Sequence, residues 1–144
     1  MPKQCEHDSH ADFERLIDPL REVARRLGYA LAVHGSLVRD IDLVAVPWTN
    51  DAVGGRTLAR AIQCRAREII GYAEPHPVEA TSSNPKFFRD GFSGYCVGVG
   101  RIYPKPHGRK SWTFHLRRTH DGPYIDLAVM PRYNPLTEGN DNER

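Results

Sequence analysis

Two aspartates, Asp40 and Asp42, stand two residues apart where an apolar segment begins. Side chains of a strand alternate between the two faces of a sheet, so residues two apart share a face. Two neighbouring carboxylates repel each other, and burying them without a partner is unfavourable. Because a hard cation with oxygen ligands removes this conflict, the spacing indicates a site for Mg²⁺ or Mn²⁺, completed by waters and substrate phosphates.

A third carboxylate, Asp126, lies in a segment that repeats the first one. Residues 125–131 (IDLAVMP) match residues 41–47 (IDLVAVP) almost letter for letter. If the two segments form neighbouring strands, Asp126 faces Asp40 and Asp42. Three carboxylates on one face can hold two metal ions about 3.5–4 Å apart, as in phosphoryl transfer. The alternative is that each aspartate lies in solvent at a strand end or pairs with a nearby arginine.

Groups that can bind phosphate flank these acids in the sequence. Gly35 and Ser36 precede the first pair, and a Gly-Ser turn presents N–H groups and a hydroxyl at close range. Arg39 directly precedes Asp40. Further along, the stretch 105–118 contains five basic residues and no acid. Such a stretch either attracts phosphate or forms a solvated strand face. Its candidate phosphate ligands are Lys105, Arg109 and Lys110.

Together these residues resemble the DNA polymerase β-like nucleotidyltransferase superfamily. Its pattern is an apolar residue, Gly, Gly or Ser, a spacer, two aspartates separated by an apolar residue, and a later third carboxylate. The resemblance implies that Gly35 and Ser36 bind the triphosphate of an NTP. It implies that Asp40 and Asp42 bind Mg²⁺ or Mn²⁺, and that Asp126 helps to activate the acceptor hydroxyl. The chain is also similar to short proteins carried by bacteriophages and prophages.

Three functions are compatible with these residues. The first is metal-dependent transfer of a nucleotidyl group from an NTP to a hydroxyl on RNA, protein or a small molecule. The second is a catalytically inactive module of the same fold that binds a nucleotide or a protein partner. It is favoured by a spacer between Ser36 and Asp40 that is shorter than the family usually has, and by the lack of room for a second, helical domain. The third is a metal-dependent nuclease whose basic stretch binds nucleic acid.

The predicted elements define an α+β domain with a mixed β-sheet, helices packed on one face and, by the resemblance, a nucleotidyltransferase-like core. An apolar stripe over 13–27 predicts a helix, either kinked at Pro19 or restarted there. A second helix, capped by Thr49 or Asn50, is predicted to end at Gly71. Residues 73–93 predict a loop, and Asp121-Gly122 predicts a hairpin turn. The predicted strands cover 29–33, 41–46, 95–103, 111–116 and 124–130.

The 144 residues correspond to a single domain, predicted over 11–133 between flexible ends at 1–10 and 134–144. With 40% hydrophobic and 26% charged residues, the composition excludes the disordered and collagen-like classes. No run of 18 apolar residues exists, so we expect no membrane span and no membrane partner. Three cysteines without metal-ligand spacing favour a reducing compartment, and the cytoplasm is the expected location.

Overall fold

The computed structural model describes residues 9–75, 102–117 and 122–132. This part of the chain forms two helices and six strands, and a short 3₁₀ turn precedes the fifth strand. In chain order they are α1 (Ser9–Arg26), β1 (Tyr29–His34), β2 (Ile41–Pro47), α2 (Gly55–Ile70), β3 (Glu74–Pro75), β4 (Tyr103–Pro104), the turn Pro106–Gly108, β5 (Lys110–His115) and β6 (Tyr124–Val129).

Helix α1 is one continuous helix of 18 residues that contains Pro19. Of the two interpretations of Pro19, a single helix is therefore the one observed. The helix begins at Ser9. Its apolar stripe faces the core through four fully buried side chains, Phe13, Leu16, Leu20 and Ala24.

Helix α2 ends as predicted but begins later. Gly71 terminates it in the left-handed conformation, with φ of 86°, and its N–H donates to the Arg67 carbonyl at 2.7 Å. The predicted caps, Thr49 and Asn50, belong instead to the turn that precedes the helix. The residue at the N-cap position is Gly54, which offers no side-chain hydrogen bond.

The sheet has the strand order β1-β2-β6-β5-β3, and β4 pairs with β5 beside β3. Strands β2 and β6 run parallel, and the other pairs are antiparallel. The α+β class with a mixed sheet is thereby confirmed. The two-residue strand β3 lies within the range predicted as a loop, because Glu74 and Pro75 pair with the end of β5.

Alternating burial along the strands gives the sheet two different faces. One face, the helix face, is buried under both helices in a single apolar core. The opposite face, called the open face here, is half-buried or exposed along β1, β2 and β6. The residues of β2 and β6 on the open face are Asp42, Val44, Val46, Tyr124, Asp126 and Ala128.

Several sequence-based predictions concern residues outside the described ranges. They are the predicted flexible ends, apart from the first residues of α1. They also include most of the predicted loop 73–93 and most of the predicted strand 95–103. Of that strand, Tyr103 is described and belongs to β4. The predicted turn at Asp121-Gly122 is described only at Gly122.

Cys64, on α2, is disulfide-bonded. Disulfides are uncommon in the cytoplasm, so the cytoplasmic location stays a prediction. In the described ranges, neither helix is long and apolar enough to cross a bilayer.

Candidate functional site

Asp42 and Asp126 are paired residues on neighbouring parallel strands. Both project from the open face, because the residues before and after each of them are buried on the helix face. Adjacent strands of a sheet lie about 4.8 Å apart, so the two carboxylates are side by side. The pairing expected from the repeated Ile-Asp-Leu segments is confirmed.

Gly35 leaves the space that the Asp42 carboxylate fills. It follows β1 directly and has φ of +85°, a left-handed conformation that glycine adopts without strain. A Cβ atom on Gly35 would lie 2.8 Å from Asp42 Oδ2, closer than real Cβ contacts. Gly35 therefore leaves room for this carboxylate, and its role in phosphate binding stays a prediction.

The Asp126 carboxyl group is partly removed from water and surrounded by charge. Burial raises its pKa most, and the negative charges of Asp42 and Asp40 raise it further. The nearby Lys105 ammonium and a hydrogen bond from the Thr113 hydroxyl act in the opposite direction. Asp126 Oδ1 is buried and has no hydrogen-bond partner among the described residues. One acceptor oxygen of this carboxylate is thus left for an additional group.

Asp40 lies just before β2 and is half-buried beside Tyr124. The Tyr124 hydroxyl donates a hydrogen bond to the Asp40 carboxylate. This bond, burial, and the charges of Asp40, Asp42 and Asp126 all raise the pKa of Tyr124. The protonated hydroxyl therefore remains a donor that ties Asp40, which lies outside the strand, to the open face.

The described ranges contain no group of three acids, histidines or cysteines arranged to hold a metal ion. The two-metal site expected from Asp40, Asp42 and Asp126 stays a prediction. The strand pairing brings Asp42 and Asp126 together, and Oδ1 of Asp126 has no hydrogen-bond partner among the described residues. Such a pair suits Mg²⁺, which commonly takes one or two carboxylates and completes its shell with waters and substrate phosphates.

Of the predicted basic ligands, Lys105 is the one whose positive charge lowers the pKa of Asp126. Arg109 is committed to its own loop, where Nε donates to the Pro106 carbonyl at 3.2 Å. Lys110 lies on the helix face of the sheet, because it pairs with Val129, which is buried on that face. Lys105 therefore acts electrostatically on Asp126, whereas Lys110 belongs to the helix face, and the phosphate-binding roles of both stay predictions.

Ser36 and Arg39 lie in the loop 35–40 between the antiparallel strands β1 and β2. Both are exposed, and the loop forms no helical turn. It turns at Leu37, a non-glycine residue with φ of 56°. The short spacer between Ser36 and Asp40 is thus part of a hairpin loop.

Two residues of the site, Thr113 and Tyr124, are absent from the sequence-based predictions. Tyr124 is two residues before Asp126, so strand alternation alone places it on the same face. Thr113 is opposite Asp126 on β5, and finding it requires the strand register.

No protein-family model, no curated protein and no solved structure matches this chain at a significant level. The geometry of the described residues therefore carries the functional argument.

Proposed function

We propose that the chain is a metal-dependent nucleotidyltransferase that moves a nucleotidyl group from an NTP to a hydroxyl acceptor. The observation that carries this proposal is the in-register pairing of Asp42 and Asp126 on the open face, with Asp126 Oδ1 buried and without a partner. Two carboxylates at this spacing suit a cation that arrives with a nucleotide triphosphate, because the phosphates supply the missing ligands.

In this proposal each residue has a separate task. Asp42 and Asp126 bind Mg²⁺, which when bound neutralises phosphate charge and polarises the reacting phosphorus. Asp126 also accepts the proton of the acceptor hydroxyl in this proposal. Lys105 offsets negative charge on the phosphates, while Tyr124 holds Asp40 against the site. The acceptor oxygen bonds to the α-phosphorus as pyrophosphate leaves.

A second candidate is a module that binds an NTP without catalysis. It is favoured by the hairpin loop 35–40 and by the missing three-acid cluster within the described ranges. The same Asp42–Asp126 pair serves both functions, so the two differ in turnover and not in nucleotide binding.

The test combines thermal melting with a transfer assay. Ligand that binds only the native state at 100 times its Kd stabilises by about 2.7 kcal/mol, which raises the melting temperature measurably. We expect Mn²⁺ to raise the melting temperature of the wild-type chain and Mn²⁺ with NTP to raise it more. Asp42→Asn should abolish both shifts. Asp18→Asn, which changes an exposed aspartate on α1, is the matched control and should keep them.

The assay follows label from α-³²P-NTP into protein, RNA or a small alcohol, together with pyrophosphate release. Metal and nucleotide shifts with transfer support the enzyme. The same shifts without transfer support the binding module. A metal shift without a nucleotide shift points to a nuclease, and no shift at all leaves only the fold.

A further inference from the structure

The two lateral edges of the described sheet are built differently. One edge is formed by β3 and β4, which have two residues each and each contain a proline. Short strands and prolines are the devices by which natural sheets prevent pairing with another chain. The other edge is β1, which has six residues.

Strand β1 carries none of these protective devices. Its sequence, YALAVH, has no proline, lysine or acid. Among the described residues, β2 is its only strand partner, so its outer backbone groups have no strand to pair with. Leu31 and Val33 pack on the core and yet remain half-exposed, and Ala30 and Ala32 are exposed on the open face. A strand added here would cover apolar side chains on both faces of the sheet.

We propose that β1 is a homodimer interface, in which it pairs antiparallel with β1 of a second copy across a two-fold axis at Ala32. Directly opposed residues share a face, so Ala32 meets its own copy and Ala30 meets His34 of the second chain. On the helix face, Leu31 then meets Val33 in both halves of the interface. The inference does not depend on the proposed enzymatic function.

The side chains of β1 favour a second copy over a strand of unrelated sequence. Backbone hydrogen bonds accept any strand, whereas cross-strand side-chain pairs decide which strand fits. In the self-paired register every aliphatic residue on the helix face meets another aliphatic residue, and no acid or lysine lies opposite another charge. The pairing also extends both apolar cores at the half-exposed Leu31 and Val33.

The interface is small, so the dimer should be weak. Stable interfaces bury about 800 Å² per partner, which is more than one six-residue strand pair supplies. We therefore expect dissociation in the micromolar range or above, visible as a concentration-dependent sedimentation coefficient.

The first test is sedimentation velocity from 1 µM to 1 mM. Wild-type protein should shift toward the dimer with rising concentration, and Ala32→Lys should weaken the dimer at least tenfold, because two lysines would meet at the axis. Ala11→Lys makes the same change at an exposed position of α1 and should dimerise like wild type. Melting curves of both variants verify that they fold. A wild-type chain that stays monomeric over the whole range, or a dimer that Ala32→Lys leaves unchanged, overturns the proposal.

A second test fixes the register. Opposed Cα atoms in an antiparallel pair lie about 4.5–5.5 Å apart, within the range for a disulfide. Ala32→Cys should therefore form a covalent dimer on mild oxidation, above the background of wild-type protein treated in parallel. Ala30→Cys lies four residues from its symmetry copy and should not. Cross-linking at Ala30 in place of Ala32 would contradict the proposed axis.

Discussion

The Asp42 carboxylate occupies the space in which any other residue at position 35 would carry its Cβ, 2.8 Å from Asp42 Oδ2. The end of β1 and the acid of β2 are therefore fitted to each other. Gly35 meets two requirements at one position, a positive φ and room for a carboxylate.

Gly35→Ala should destabilise the protein and also weaken metal and nucleotide binding. The positive φ costs a non-glycine residue about 1–3 kcal/mol, and the new methyl group displaces the carboxylate. Gly71→Ala is the control, since Gly71 has φ of +86° and nothing within 4 Å of an added Cβ. Denaturant unfolding should show a loss of stability in both variants. Calorimetric titration with Mn²⁺ and NTP should show weaker binding in Gly35→Ala alone, and equal binding in the two variants would refute the role given to Gly35.

Lys105→Ala should weaken NTP binding about tenfold, whereas Lys110→Ala should leave it nearly unchanged. Both are exposed lysines of the same basic stretch, but only Lys105 acts on Asp126. The dissociation constant measured over a salt series checks this, because losing a phosphate contact flattens the salt dependence. Equal effects of the two substitutions would mean that the stretch acts through its summed charge.

Asp126→Asn should change how stability depends on pH in metal-free buffer. The raised pKa of Asp126 means that the folded chain holds this proton more tightly than the unfolded chain, whose aspartate titrates near pH 3.9. Its contribution is present below that pH and is lost as the pH rises through the folded pKa. From about pH 4 to neutral pH, wild type should lose stability relative to Asp126→Asn, as measured by urea midpoints with EDTA.

Asp51→Asn provides a comparison of opposite sign. A hydrogen bond from the Thr49 side chain is the main cause that lowers the pKa of Asp51. Wild type should therefore gain stability relative to Asp51→Asn as the pH rises through the acid range. Parallel curves for the two variants would show that neither carboxylate is perturbed as described.

Tyr124→Phe should weaken metal-dependent NTP binding several-fold while changing the melting temperature little. The substitution removes the hydroxyl that holds Asp40 but keeps the ring. Tyr29→Phe removes a different hydroxyl, which donates to the Val53 carbonyl at 2.6 Å away from the acids. It should cost about 1 kcal/mol of stability and leave binding intact. Two titrations and two melting curves decide whether Tyr124 serves the site or only the fold.

The repeated Ile-Asp-Leu segments were enough to predict that β2 and β6 pair and that Asp42 and Asp126 meet. Two segments with the same alternation bury the same face, so pairing them in register aligns their aspartates. The helices were likewise predictable from their apolar stripes and from Gly71. These features depend on local periodicity, which a sequence displays directly.

The remaining features depend on contacts between distant segments. Lys105, Arg109 and Lys110 are equivalent by charge, and only the pairing of Lys110 with Val129 separates Lys110 from the site. The carboxylate pocket over Gly35 depends on the register of β1 and β2, which no composition rule specifies. Asp40 shares the face of Asp42 by strand alternation only if β2 includes Asp40. The exact residue at which a strand begins is difficult to predict from a sequence pattern.

The parallel pairing of β2 with β6 has a consequence for synthesis of the chain on the ribosome. Asp42 emerges well before Asp126, because residues 43–125 lie between them. When β1 and β2 leave the exit tunnel, the edge of β2 is still unpaired. Its neighbour in the sheet is β6, which is synthesised only after β5. Contacts between such distant segments form slowly. A nascent chain therefore has no paired acids until β6 has left the exit tunnel, and truncation anywhere before β6 removes the site as a whole.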